Sequence, residues 1–464
     1  MVDDAALTGL VLAGYLLAMV AVGAMAARRS ETPEGFFLAG RSLSPAILTA
    51  TLAATILGAS STLGMAGLGF SEGMTGAWWL LSGTLGLVAL SLFLAERVRK
   101  AGCFTLPELL AQKYDRRVGL GASALILVSW VGIIAAQIVA SGKLLGVLFG
   151  PGQEAFMAAS ALVFVGYTAL GGQRSIVKTD AVQLLILLFG LLIISIRAID
   201  LAGPGVLAGQ SFPTSAARGG TEVASLIVVV GSAYLAGPDI YSRLFSATDP
   251  KTAKKSALAA ALILVPLAFL ITGLGISARI LFPAIRPEEA LPVLMAETLS
   301  PLGAGIAAAA LLSALISSAD TTLLTATSIL TLDLYRAARP GAGENEILRA
   351  SRVGTVLIGG VALLSALRLP EIIGSLLSAY TVFAGGLIVP VVAGFWRERL
   401  RLTPAGALAA LIGGGGAALL FGAEMPLLGM GVSAVLLFIV SWLFGSPPIL
   451  LQSRRDIMRR SRSR

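Results

Sequence analysis

The groups best equipped for chemistry fall in one apolar run, Ala314-Leu315-Ile316-Ser317-Ser318-Ala319-Asp320-Thr321-Thr322. Ser317, Asp320 and Thr321 are spaced i, i+3, i+4 and so share a helix face. Ser318, Thr322 and Thr325 make a second stripe. Hydroxyl and carboxylate oxygens are hard donors, suited to Na+ rather than to a soft metal. Back-bonding to the i−4 carbonyl would account for Ser and Thr, but not for an Asp in mid-run. A charged group at the centre of a membrane helix costs about 2.5–3.5 kcal/mol, so it needs a reason to be there. A second carboxylate, Asp180, opens another apolar run, where the helix macrodipole alone would favour it. Lys143 stands near the outer end of its run and reads as snorkelling rather than as a ligand for a substrate carboxylate. Tyr380 and Thr381 read equally well as the lining of an outer vestibule and as ordinary packing.

The chain has no His and a single Cys, Cys103. No zinc site, no His proton relay and no intramolecular disulfide are expected. No nucleophile with a base partner is visible either, so an enzyme is not expected, nor any cofactor beyond a coupling ion. The net charge of +9 would suggest nucleic acid in a soluble protein. Here it reads instead as the Lys and Arg of cytoplasmic loops, with no nucleic-acid partner.

These groups need helices to hold them, and the composition supplies them. The 464 residues are 56% hydrophobic and 13% charged, about half the charged share of a soluble domain. Apolar runs long enough to cross a hydrocarbon core of ~30 Å recur along the chain. About thirteen spans are expected, near 7–27, 44–71, 77–96, 119–149, 154–170, 178–199, 222–246, 255–282, 302–331, 350–367, 371–395, 404–422 and 426–446. Sorting the loops alternately puts Lys and Arg on one side by more than fivefold, Arg243 being counted among them. That bias places the N-terminus outside and the C-terminus in the cytoplasm of a bacterial inner membrane. The lipid bilayer is therefore a partner, and residues 447–464 form a basic cytoplasmic tail. Residues 1–464 read as one integral membrane domain with no cleaved leader.

Two spans carry weak points. One reads Ala54-Thr55-Ile56-Leu57-Gly58-Ala59-Ser60-Ser61-Thr62, the other Val230-Gly231-Ser232-Ala233-Tyr234-Leu235-Ala236-Gly237-Pro238. Broken helices in matching positions of two halves point to a transporter's midplane site. The breaks lie five spans apart, the spacing of a five-plus-five inverted repeat. Its repeats would be 44–199 and 222–395, with an extra helix at 7–27 and two more over 404–446.

Taken together these segments resemble the sodium:solute symporters, a family with proline, pantothenate, monocarboxylate, sialic acid and sugar carriers. The resemblance rests on Ala39-Gly40-Arg41-Ser42-Leu43, Gly64-Met65-Ala66-Gly67 and Thr105-Leu106-Pro107-Glu108-Leu109-Leu110. It extends through Gly171-Gly172 with Thr179-Asp180 and Gln183, Pro238 with Arg243, and Ala247-Thr248-Asp249-Pro250. Its most specific part is Ser317-Ser318-Ala319-Asp320 followed by Thr331-Leu332-Asp333-Leu334-Tyr335. The resemblance implies an all-α leucine-transporter-type fold and a sodium site made by the carbonyls of Ala54, Leu57 and Ala314 with the hydroxyls of Ser317 and Ser318. A second ion in some relatives would fall on Asp180, Ser317, Asp320 and Thr321, where one carboxylate could instead carry a proton.

The expected activity is symport of Na+ with a small organic solute by alternating access, in a protein working as a monomer. The solute would sit among Gly58, Ala59, Ser60, Ser61 and Tyr234. Two departures bear on its identity. Gln173 stands where the family usually has a large apolar residue. The polar pair of sugar carriers falls on Val230 and Ala233, which favours an amino acid or a carboxylate over a sugar. Alternatives are a proton-coupled carrier using Asp180 or Asp320, and a sensor that does not transport.

Overall fold

The computed structural model describes residues 4–27, 32–368, 371–422 and 424–444, and every described element with regular structure is a helix. The expected basic tail 447–464 and Arg28 and Arg29 lie outside the described residues. The helices used below are α1 (Asp4–Ala27), α2 (Pro45–Ile56), α3 (Met65–Glu72), α4 (Trp78–Ala89), α5 (Arg116–Phe149) and α6 (Gln153–Ala202). They continue with α7 (Gly220–Ala236), α8 (Pro238–Phe245), α9 (Pro250–Leu281), α10 (Pro301–Ser328), α11 (Glu344–Ala366), α12 (Ile372–Phe383), α13 (Pro404–Phe421) and α14 (Leu428–Phe444). Among the described residues, ten helical stretches are long and apolar enough to cross a membrane. Three shorter apolar helices, Pro45–Ile56, Gln153–Gly166 and Leu428–Phe444, accompany them.

Helix starts follow local chemistry. Proline opens α2, α8, α9, α10 and α13, where a missing amide costs nothing. Asp115 and Asp249 cap α5 and α9 by accepting from first-turn amides. The spans expected at 154–170 and 178–199 are the two helical arms of α6, separated at Gly172, whose φ 58° and ψ −169° are not helical. The loop read between them is helical on both sides of that single residue. Only glycine holds such a backbone without strain, and a Cβ there would also press on Phe36.

The core is built around α10, the most enclosed of the long helices, which packs against α1, α2, α5, α6 and α11. Small residues bring other helices together. A Cβ on Gly275 of α9 would collide with the Ala66 carbonyl of α3, and one on Gly86 of α4 with the Gly231 carbonyl of α7. Such backbone-to-backbone approach is how membrane helices gain contact where lipid gives no hydrophobic drive. At the end of the bundle near α9's start, Leu43 and Ala247 form a parallel bridge, and Arg99 donates to the Ala247 carbonyl at 2.7 Å. The only thiol, Cys103, is fully buried in the turn beside this bridge, and burial pushes its pKa up to about 12.

Candidate functional site

The first break is real and has a specific hydrogen-bond pattern. Leu57 leaves the helix with φ −80° and ψ 61°. The Gly58 amide donates to the Ile56 carbonyl at 3.0 Å, so the Ala54 carbonyl loses its helical donor. The Ala59 amide donates instead to Gln137 Oε1 of α5 at 2.9 Å. The Thr55 carbonyl accepts from Ser318 Oγ of α10 at 2.8 Å. Gly58 lets α10 come this close: a Cβ there would overlap Ser318 Oγ and lie 2.7 Å from Ser318 Cβ. A hydroxyl that donates in this way keeps its lone pairs for a cation.

The five residues expected around sodium therefore lie on two facing elements, α2 with its broken end and α10. Ala54, Leu57, Ala314, Ser317 and Ser318 are all buried. Ser317 Oγ donates to Asp180 Oδ1 at 2.6 Å, so its lone pairs too stay open. An uncapped carbonyl and two such hydroxyls are hard, neutral oxygens, a donor set that suits one monovalent ion.

The second break matches the reading at Gly237-Pro238: α7 ends at Ala236, and Gly237 is extended at φ −59° and ψ 130°. Between the two breaks lies a cavity of about 30 Å³. Gly58, Ser60 and Tyr234 line it, as expected. Ala59 and Ser61 are fully buried and are not among its lining residues, though Ser61 reaches the Tyr234 hydroxyl that does line it. The wall also includes Tyr380, read from sequence as either vestibule lining or packing, and Trp130, Gln137 and Asp239, to which the sequence reading gave no place in a pocket. Tyr380 stacks on Trp79 with centroids 6.3 Å apart, while Thr381 turns away and is buried beside Gly422. Gln137 is a polar residue in mid-span and Asp239 a carboxylate beside a Gly-Pro break, so both carried a signal.

Next to this cavity is a buried polar cluster centred on Arg243. The sequence reading sorted Arg243 into a loop, but it is fully buried in α8. Its guanidinium lies 3.6 Å from Asp180 Oδ2, donates to Gln173 Oε1 at 2.6 Å and bonds Thr321 Oγ1. Asp180 also accepts from Thr51. Gln173, expected from the resemblance to be apolar, here accepts from this cation. Asp320 faces the other way, its Oδ1 accepting from Thr168 at 2.9 Å while Oδ2 is buried with no described partner. Of the positions expected for a second ion, Asp180 and Thr321 are thus tied together by a resident cation.

Lys143 is not simply snorkelling. It pairs with Glu288, whose other oxygen accepts from the Ile372 amide at 2.9 Å, at the rim of a 790 Å³ hollow.

A membrane bundle with two broken helices facing a hydroxyl-rich helix is the architecture of a secondary transporter. The model of the sodium:solute symporter family matches residues 36–414, and the chain belongs to that family. The sodium/pantothenate symporter of Escherichia coli (strain K12) is 29% identical over 430 residues, 87% of this chain and 88% of that protein. The high-affinity proline transporter PutP of Bacillus subtilis (strain 168) is 28% identical over 419 residues, 85% of this chain and 88% of its own. A Na+-coupled sialic acid symporter, solved substrate-bound and outward-open, superposes with a TM-score of 0.84 at 18% identity, over 96% of this chain and 99% of that one. MhsT in complex with L-phenylalanine gives 0.57 at 16% identity, over 85% and 98%. The fold is that of leucine-transporter-type carriers. The protein is a Na+-coupled symporter and not an enzyme; Na+ is its coupling ion and no cofactor is implied.

Proposed function

We propose that the protein takes up a small organic solute, an amino acid or carboxylate rather than a sugar, by binding Na+ between the break after α2 and α10. The observation that carries this reading is the Ser318 Oγ bond to the Thr55 carbonyl beside the freed Ala54 carbonyl. The ion is held by the carbonyls of Ala54, Leu57 and Ala314 and the hydroxyls of Ser317 and Ser318. Its arrival ties the broken segment to α10 and orders the wall of Gly58, Ser60 and Tyr234. A cavity of about 30 Å³ holds little more than a water or two, so a solute enters only when the walls part. Alternating access supplies that motion: the loaded bundle rocks against its scaffold and opens to the other side.

The same reading takes about thirteen spans in a five-plus-five repeat, 44–199 and 222–395, with helices 7–27 and 404–446 outside it. The chain works as a monomer in a bacterial inner membrane, N-terminus outside and C-terminus in the cytoplasm. The Arg243 guanidinium, lying between Asp180 and Thr321, favours one Na+ per cycle over two. One is enough. A potential near 100 mV gives about 2.3 kcal/mol for one inward charge. A tenfold Na+ gradient adds about 1.4 kcal/mol, and the sum of ~3.7 kcal/mol supports roughly 500-fold accumulation of a neutral solute.

The test is uptake in proteoliposomes under an inward Na+ gradient, with a pH gradient as the comparison. Uptake is expected to follow Na+. Uptake driven by the pH gradient and indifferent to Na+ would reject the reading.

A further inference from the structure

The cavity between the breaks has one charged wall residue, Asp239, at the start of α8. Asp239 is only half-buried although its helix lies inside the bundle, and it lines the cavity. No described Lys or Arg nitrogen lies within 4.0 Å of its carboxylate. The nearest candidate by sequence, Arg243 one turn on, spends its guanidinium on Asp180, Gln173 and Thr321. The cavity lining includes no Lys or Arg at all. Three aromatic rings, Trp130, Tyr234 and Tyr380, make up much of the remaining wall. Two of the hydrogen-bonding groups there are already committed: Gln137 Oε1 to the Ala59 amide and Ser318 Oγ to the Thr55 carbonyl.

We infer that Asp239 is the counter-charge for a solute carrying a positively charged nitrogen, with the rings of Trp130, Tyr234 and Tyr380 closing around that nitrogen. An aromatic face attracts a cation through its quadrupole, and more strongly where water is excluded. A solute that is only an anion would meet a like charge held by the backbone amides of its own helix start, with no Lys or Arg in the cavity lining, and lose affinity. This narrows the substrate from amino acid or carboxylate to amino acid or another ammonium compound, and it rests on the sodium-symport reading above.

The test uses the purified full chain and its thermal unfolding in NaCl and in KCl. The probes are the common L-amino acids, glycine betaine and choline, set against pantothenate, lactate and glucose. At least one charged-nitrogen probe is expected to raise the unfolding temperature in NaCl, and the three others are not. For the responding probe, Asp239→Asn is expected to weaken affinity by at least about tenfold, the loss of a charge-assisted contact. Asp239→Glu, which keeps the charge, retains part of that response. The half-saturating Na+ concentration measured without solute separates this role from a sodium ligand: a shift there as large as the solute's overturns the assignment. A response to pantothenate, lactate or glucose, or silence from every charged-nitrogen probe, overturns it in the unmodified chain, whether or not the variants fold. A Na+-dependent response to pantothenate, lactate or glucose leaves the symport reading standing. Stabilisation equal in NaCl and KCl is the failure of the symport reading instead.

Discussion

Replacing Ser318 by Ala removes one oxygen from the junction between α10 and the broken segment. In the intact protein that oxygen donates to the Thr55 carbonyl at 2.8 Å, fully inside the bundle. Losing the donor leaves a buried carbonyl unsatisfied, at about 1–3 kcal/mol. Losing it as a cation ligand costs on the scale of a bond to a charged group, about 1.5–3 kcal/mol, or roughly tenfold to over a hundredfold in affinity. The Na+ concentration for half-maximal uptake in proteoliposomes should therefore rise by at least about tenfold. Solute binding at saturating Na+ should change much less, because Ser318 Oγ is already committed to the break. Ser317→Ala should act in the same direction, since its hydroxyl meets Asp180 Oδ1 across the same gap. A Na+ half-saturation in Ser318→Ala within about twofold of wild type, with uptake intact, would refute the sodium assignment.

Three further outcomes are expected. Gly58→Ala should abolish uptake, because its Cβ overlaps Ser318 Oγ, and normal Na+-dependent uptake by this variant would contradict the close approach. Asp180→Asn leaves the Arg243 charge buried without its carboxylate, which should destabilise the protein by about 3–5 kcal/mol, seen as a lower unfolding temperature; adding Arg243→Gln should recover part of the loss. Glu288→Ala removes both the Lys143 pair and the acceptor for the Ile372 amide. A partly exposed pair is worth about 1 kcal/mol, so the access equilibrium on that side should shift about fivefold, measured as faster labelling of a cysteine placed at Ser60.

Much of this architecture was written in local chemistry. The breaks were legible because Gly58 with its hydroxyl neighbours and Gly237-Pro238 interrupt apolar runs that otherwise have no reason to stop. The α10 stripe was legible because Asp320 and its hydroxyls recur at helical spacing. What escaped the reading depends on direction in space. Arg243 sits at the end of an apolar run and counts as a loop charge by position, yet α8 turns it inward onto Asp180 and Gln173. Ala59 and Ser61 lie in the right segment, but they are buried behind the wall that Gly58, Ser60 and Tyr234 make. The separation of the two arms of α6 was legible, since Gly171-Gly172 stands between two apolar runs and Gly172 leaves the helical backbone.

The lone thiol has a practical consequence. Cys103 is fully buried and its pKa is pushed up by burial, so almost none of it is the reactive thiolate at neutral pH. The native chain is therefore already silent toward maleimides while folded. Any cysteine introduced along the cavity wall or at the Lys143–Glu288 rim becomes the sole reporter in the molecule. Its reaction rate, with and without Na+, reads which side of the site faces water, with no native residue removed to obtain it.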